Sequence, residues 1–276
     1  MLKTADASFD PAHPLPKGPV SICLLASGSK GNAIYINSGE TTLLIDAGFS
    51  GVEIERRFRA RGLLPEKVDA IVVSHEHNDH LNGVGVLARR YGLPVYMSAK
   101  TETAASSKLG RIPTITNFTC GTDFSINDIA IHPFSTSHDA SDPSGFTFRI
   151  NGQKIGLATD LGVATQMVKH HLRDCNCLIL EANHDPRMLE AGPYPWPIKQ
   201  RVKSRTGHLA NEDCKTLLMD VCHKDLTHVI LAHISETNNS PEKALSVVSE
   251  RLPQNAPRLT VAMQHEPTAL IRLYPD

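Results

Sequence analysis

Short apolar runs that end on a histidine, aspartate or glutamate recur along this chain, and they constrain its fold more than any other feature. DAIVVS, beginning at Asp69, runs into His75, and the segment 129–137 ends at His138. IGLAT ends on Asp160, CLIL on Glu181 and HVILA on His233. Runs of this length, rich in branched residues and bounded by turn formers, are predicted strands. Residues that leave neighbouring strand ends converge on one edge of a sheet, where layered α/β proteins carry their sites. Five such endings point to a single shared site.

The rest of the pattern supplies the layers. VSICLLA from Val20, AIYIN from Ala33 and TTLLID from Thr41 read as strands, the last entering Asp46-Ala47-Gly48. Ser50 and Glu53 form a capping box that opens a helix to about Arg61, closed by Gly62. Further helices are predicted over 81–91, 163–172, 209–222 and 240–251. Strands are predicted near 95, 129–135, 146–150, 154–158, 177–180, 228–231 and 259–262. Asn151-Gly152 is a two-residue hairpin signal between two of these. Hairpins mixed with strand–helix units predict an α+β layered architecture, with one domain over 19–276. Residues 1–18, carrying Pro11, Pro14 and Pro16 without apolar periodicity, are expected to be extended or disordered.

Bulk charge narrows the functions. With 28 Lys+Arg against 29 Asp+Glu, the net charge is -1, so any nucleic-acid binding must use a local patch. No stretch is long and apolar enough for a bilayer and the N-terminus has no signal-peptide core, so the expected location is the cytoplasm. Six cysteines are scattered without a disulfide rhythm. Cys175 and Cys177 could be read as thiolate ligands, but structural zinc asks for spaced pairs, and buried reduced thiols are the expectation.

The cluster His75-Glu76-His77-Asn78-Asp79-His80 carries the chemistry. In H-x-H-x-D-H, His75 and His77 reach one metal from a single extended turn, while Asp79 and His80 point to a neighbouring one. Imidazole and carboxylate ligands suit zinc, manganese or iron. Two such ions about 3.5–4 Å apart can hold both the attacking and the leaving oxygen of a phosphoryl centre.

This signature, the preceding LLIDAG and the later His, Asp and His resemble the metallo-β-lactamase superfamily. The resemblance implies a four-layer αββα sandwich with a dinuclear site at one edge. Carried over by position, His75, His77 and His138 would hold one metal, and Asp79, His80 and His233 the other. Asp160 would bridge them and Asp46 would orient a ligand, with His265 as the alternative to His233. Closer still is the YycJ (WalJ-like) branch, through LLASGSKGNAIYI at 24–36, SHEHNDHLNGV at 74–84, LATDLG at 157–162, EANHD at 181–185, GPYPWPIKQR at 192–201, GHLAN at 207–211 and LAHISETNN at 231–239. That family implies a 5′-to-3′ exonuclease acting on double-stranded DNA with a free 5′ end, in mismatch repair.

Other features bear on the substrate. Glu181 and His208 each resemble a residue of the tRNase Z type of nuclease, in which a glutamate and a histidine together donate a proton. A carboxylate beside an imidazole stabilises imidazolium, the acid that an O3′ leaving group needs. On this reading Asp79, Glu181 and His208 are catalytic. The alternative for the pair is that Glu181 caps the following helix and His208 starts the next one. The segment 187–205 carries Arg187, Lys199, Arg201, Lys203 and Arg205 against a single acid, Glu190. With Trp196 it offers phosphate contacts and a ring for stacking on a base, or else a solvated loop with the tryptophan plugging the core. Ser29 and Asn32, in the Gly28–Asn32 loop, could meet a phosphate or simply form a turn. Neither the insert of the β-CASP nucleases nor the tRNA-holding arm of tRNase Z is present. Two rival functions are a small-molecule (cyclic) phosphodiesterase or other metallo-hydrolase, and a catalytically inactive binding or regulatory module. The complete ligand set argues against the second.

Overall fold

Near-continuous apolar strands require a sheet covered on both faces. The computed structural model, which describes residues 18–252 and 256–274, shows how that cover is built. The predicted N-terminal lead-in falls on residues 1–17, outside the described residues, apart from Gly18.

The first half holds β1 (Val20–Ala26), β2 (Ala33–Asn37), β3 (Thr42–Ile45), α1 (Gly51–Ala60), β4 (Ala70–Val72), α2 (Asn78–Leu81), α3 (Val84–Tyr91), β5 (Val95–Ser98), α4 (Ala99–Leu109) and β6 (Ile115–Phe118). The second half holds β7 (Phe124–Ile126), β8 (Ile129–Ser135), β9 (Ser144–Ile150), β10 (Gln153–Ala158), α5 (Gln166–Leu172), β11 (Cys177–Glu181), α6 (Pro186–Ala191), α7 (Trp196–Lys203), α8 (Asn211–Val221), β12 (His228–Ala232), α9 (Pro241–Ser249) and β13 (Arg258–Val261), before β14 (Ile271–Leu273) returns to the first sheet. The sheet orders are β14-β1-β2-β3-β4-β5-β6 and β13-β12-β11-β10-β9-β8-β7.

The two-residue period of each strand divides the layers. In β1, Ile22 and Leu24 face the core between the sheets, while Cys23 and Leu25 face α1, α3 and α4. In β11, Cys177 and Ile179 face the same inter-sheet core, while Leu178 and Leu180 pack under α5, α8 and α9. Helices therefore cover both outer faces, giving the αββα sandwich. Among the described residues no helix is long and apolar enough to cross a membrane.

Pairing is parallel from β3 through β6 and from β10 through β13. The C-terminal ends of these strands line up, so the loops after β3, β4, β10, β11 and β12 share one edge. The Asn151-Gly152 hairpin forms between β9 and β10 with both residues at positive φ, as a type I′ turn requires.

Two local differences from the sequence reading matter at that edge. The helix expected over 81–91 is split into α2 and α3. At the break Gly83 donates its N–H to Ala47 O at 2.7 Å, and a Cβ there would lie 2.4 Å from Phe49 O. The proline-punctuated segment, for which a solvated loop is one of the two readings, forms α6 and α7, because a proline in the first turn removes no helical hydrogen bond.

Candidate metal centre

The loop after β4 carries His75 and His77, and α2 begins directly after His77. One turn of helix then sets Asp79 and His80 on the same side. His77 Nδ1 lies 3.1 Å from His75 Nε2 and 3.2 Å from His138 Nε2. His138 Nδ1 is 3.2 Å from the carbonyl of Gly207, which only accepts, so Nε2 keeps its lone pair for the cluster. Burial holds His75 well below the ordinary histidine value, and the His80, His138 and His77 rings add to it. Burial also lowers His77, with His138 next. Neutral imidazoles with converging lone pairs form a donor set for a cation.

Beside them lie the carboxylates. His80 Nδ1 donates to Asp46 Oδ2 at 2.8 Å, and Asp46 also accepts from the N–H and the hydroxyl of Ser74. His80 Nε2 sits 3.5 Å from Asp160 Oδ2 and 3.6 Å from Asp79 Oδ2. His233 Nε2 is 3.8 Å from Asp79 Oδ2. Burial pulls His80 down, but the carboxylates of Asp46, Asp160 and Asp79 outweigh it and raise the ring to about 9. His233 is raised well above its ordinary value by Asp160 and Glu181 against the same opposition from burial.

The donor set fits divalent metal. Asp160 Oδ2 and His233 Nε2 are buried polar atoms with no hydrogen-bond partner, an arrangement that costs free energy unless a ligand completes it. Asp46, Asp160 and His233 also adopt left-handed backbone, with φ of 59°, 54° and 56°. Such conformations cost energy and persist where the surroundings over-determine them. Each of the three follows a strand closely and turns its side chain into the site.

Glu181, the last residue of β11, is fully buried and takes four donors. Oε1 accepts from His208 Nδ1 at 2.8 Å and His233 Nδ1 at 2.7 Å. Oε2 accepts from the N–H groups of Leu161 and Leu209. Burial pushes the carboxyl up, yet His208 and His233 hold it below the usual range. Glu181 does not cap the following helix; Asp185 does.

The remaining candidates separate. Ser29 is exposed and lines a cleft of about 220 Å³ together with His77, Asp79, His138, Asp160, Arg201, His208 and His233. Asn32 is buried; its side-chain amide reaches His80 Nε2 at 3.1 Å and Asp79 Oδ2 at 3.3 Å, so it braces the metal motif. Trp196 is 63% exposed and plugs no core. Lys199 and Lys203 are bound to Glu190, and Arg205 is exposed beyond α7. His265 pairs with Glu236 at the surface, whereas His233 stands in the cluster. The cysteines are unpaired, Cys175 is pushed up to about 12 by burial, and none joins a metal-ligand group among the described residues.

Sequence reasoning missed Asp139, which lies 3.5 Å from His138 Nε2 and lines the cleft. It also missed Ser74, which hydrogen-bonds Asp46 beneath His75 and His80. Their adjacency to His138 and His75 was the available signal.

Comparison with known proteins agrees with this geometry. Residues 41–234 match the β-lactamase superfamily domain. The chain is 42% identical over 231 residues to the exodeoxyribonuclease YycJ of Bacillus anthracis, covering 83% of this chain and 88% of that one. It is 37% identical over 235 residues to the exodeoxyribonuclease WalJ of Streptococcus pneumoniae, covering 84% and 87%. The fold matches the metallo-β-lactamase fold protein YhfI of Bacillus subtilis with a TM-score of 0.72 at 14% identity, over 91% and 99% of the two chains. The protein is a metal-dependent hydrolase, and the chain belongs to the YycJ/WalJ family of the metallo-β-lactamase fold.

Proposed function

We propose that the protein is a dinuclear-metal phosphodiesterase acting as a 5′-to-3′ DNA exonuclease that releases 5′-phosphorylated nucleotides. The observation that carries this reading is the Glu181–His208 pair, in which His208 lines the metal cleft and would act there as proton donor to a leaving oxygen. His75, His77 and His138 would hold one ion; Asp79, His80 and His233 the other, with Asp160 between them. Ions so held would supply charge neutralisation for the scissile phosphate and a water activated at neutral pH. Asp79 would also accept a hydrogen bond from the attacking water.

His208 Nδ1 is committed to Glu181, so Nε2 is the atom that would give a proton to the departing O3′. Glu181 holds Nδ1 and so fixes the orientation of the ring. Departure at O3′ frees the 5′-terminal nucleotide with a 3′-hydroxyl and the 5′-phosphate it already carried, and leaves the attacked phosphate on the new 5′ end of the shortened strand. Substrate DNA and the exonucleolytic mode are supported by the names of the relatives. The 5′-to-3′ polarity is that implied by the family resemblance, and strand removal in mismatch repair is the setting it would serve.

The test uses 5′-phosphorylated, 3′-labelled duplex DNA beside a small chromogenic phosphodiester, each with zinc and with manganese. Progressive shortening from the 5′ end, abolished by His77→Ala, is the expected result. Intact DNA with rapid turnover of the small ester would replace this reading with a small-substrate phosphodiesterase.

A further inference from the structure

The basic charges of α7 are not equivalent. The helical period puts Ile198, Arg201 and Val202 on one face, and those three line the metal cleft. Lys199 and Lys203 lie off that face. Lys199 Nζ donates to the Glu190 carbonyl at 2.6 Å and Lys203 Nζ pairs with the Glu190 carboxylate, which ties α7 to α6. Arg201 is held differently: its Nε donates to Asp139 Oδ2 at 2.6 Å.

Asp139 is itself fixed. Its N–H donates to Thr206 O at 3.1 Å, and its second oxygen stands 3.5 Å from His138 Nε2. The carboxylate thus spans the guanidinium and an imidazole of the cluster. With the Nε hydrogen of Arg201 committed, its Nη hydrogens have no acceptor within hydrogen-bond reach among the described residues. A guanidinium anchored through Nε can offer two parallel Nη hydrogens to a second oxyanion without reorienting.

We propose that Arg201, presented by Asp139, anchors the nonbridging oxygens of the substrate phosphate, with Asp139 as its positioning residue. The inference rests on the phosphodiesterase reading and narrows it. Phosphate recognition is concentrated at one residue, and the cleft selects phosphate esters over uncharged esters and amides.

Zinc-loaded protein titrated calorimetrically with thymidine 5′-monophosphate tests this without turnover. Arg201→Met should weaken binding about 10–100-fold, the range for one charged hydrogen-bonding partner, at unchanged zinc content and Tm. Added guanidinium should restore part of the loss, which a purely structural defect would not allow. Asp139→Ala should weaken binding in the wild-type background, add nothing in the Arg201→Met background, and be partly rescued by Asp139→Asn. Lys224→Met, a charge removed at the opposite edge, should change nothing.

Wild-type affinity in Arg201→Met would overturn the anchor, as would a wild-type protein that binds no thymidylate. Equal losses from Lys199→Met and Arg201→Met would replace it with a diffuse basic face. Zinc loss in Asp139→Ala would overturn the positioning role and make Asp139 a ligand. The two readings separate in a DNA digestion run alongside. Arg201-dependent thymidylate binding without DNA cleavage keeps the anchor and removes the exonuclease. DNA cleavage with an unchanged kcat/KM in Arg201→Met does the reverse.

Discussion

Glu181 concentrates in one side chain what most sites spread over several. A buried carboxylate is tolerable only when fully hydrogen-bonded, and here two imidazoles and two backbone N–H groups meet that demand. The amide of Glu181→Gln has the same shape but must turn two hydrogens towards either the ring N–H groups or the backbone N–H groups. That substitution should cost about 3–5 kcal/mol, the range for breaking a buried charge pair, read by urea unfolding. His208 is only half-buried, so His208→Ala should cost little stability while lowering kcat about 10²–10⁴-fold, as for loss of a general acid. It should also retain metal, whereas Asp79→Ala should lose metal and activity together. A fully active His208→Ala enzyme would remove the acid assignment. Of these residues, the sequence disclosed Glu181 and His208 as a pair only through resemblance, since 27 positions separate them. Asp139 went unseen because its partner Arg201 lies 62 positions away and no local pattern links the two.

At the scale of elements, the turn between β3 and α1 does as much for the centre as the ligands. Gly48 donates its N–H to Asn32 O at 2.8 Å, and a Cβ on it would stand 1.7 Å from Asp79 O. The obstacle is backbone of the metal motif, which has no rotamer to yield. Gly48→Ala should therefore displace α2 and lose bound metal even if the sheets still form. Metal analysis together with circular dichroism would show it, and full zinc content in a folded Gly48→Ala protein would contradict this account. The long elements were legible because β1, β11 and β12 are runs that only a doubly covered strand tolerates, and α1 opens on the Ser50 cap. The edge strands β7 and β14, at three residues each, are too short to show a period. In α4 only Thr101, Ala105 and Leu109 are buried, and its helical stripe is correspondingly faint.

The whole molecule places the metal centre on a seam. Asp46, His75, His77, Asp79 and His80 leave the first sheet, while His138, Asp160 and His233 leave the second, so on the proposed ligand set metal binding would tie the two sheets together at one edge. Ligand binding to the native state alone stabilises by mass action, about 2.7 kcal/mol at a hundredfold excess over Kd. Chelation should thus lower Tm by roughly 5–11 °C for a domain of this size. The deficit should depend on pH. Without metal, the cluster carboxylates are neutralised by protons on His80, raised to about 9, and on His233, raised well above its ordinary value. A raised folded value stabilises fully below the ordinary value of roughly 6.5, and the contribution is lost as pH climbs through about 9. Metal-free protein should therefore lose stability between pH 6.5 and 9, while rising pH frees imidazoles for metal and strengthens the loaded form. Both effects have the same sign, so the Tm difference between zinc-loaded and chelated protein should widen across that window. A difference that stays constant or narrows would mean that protons on His80 and His233 do not hold the seam closed when metal is absent.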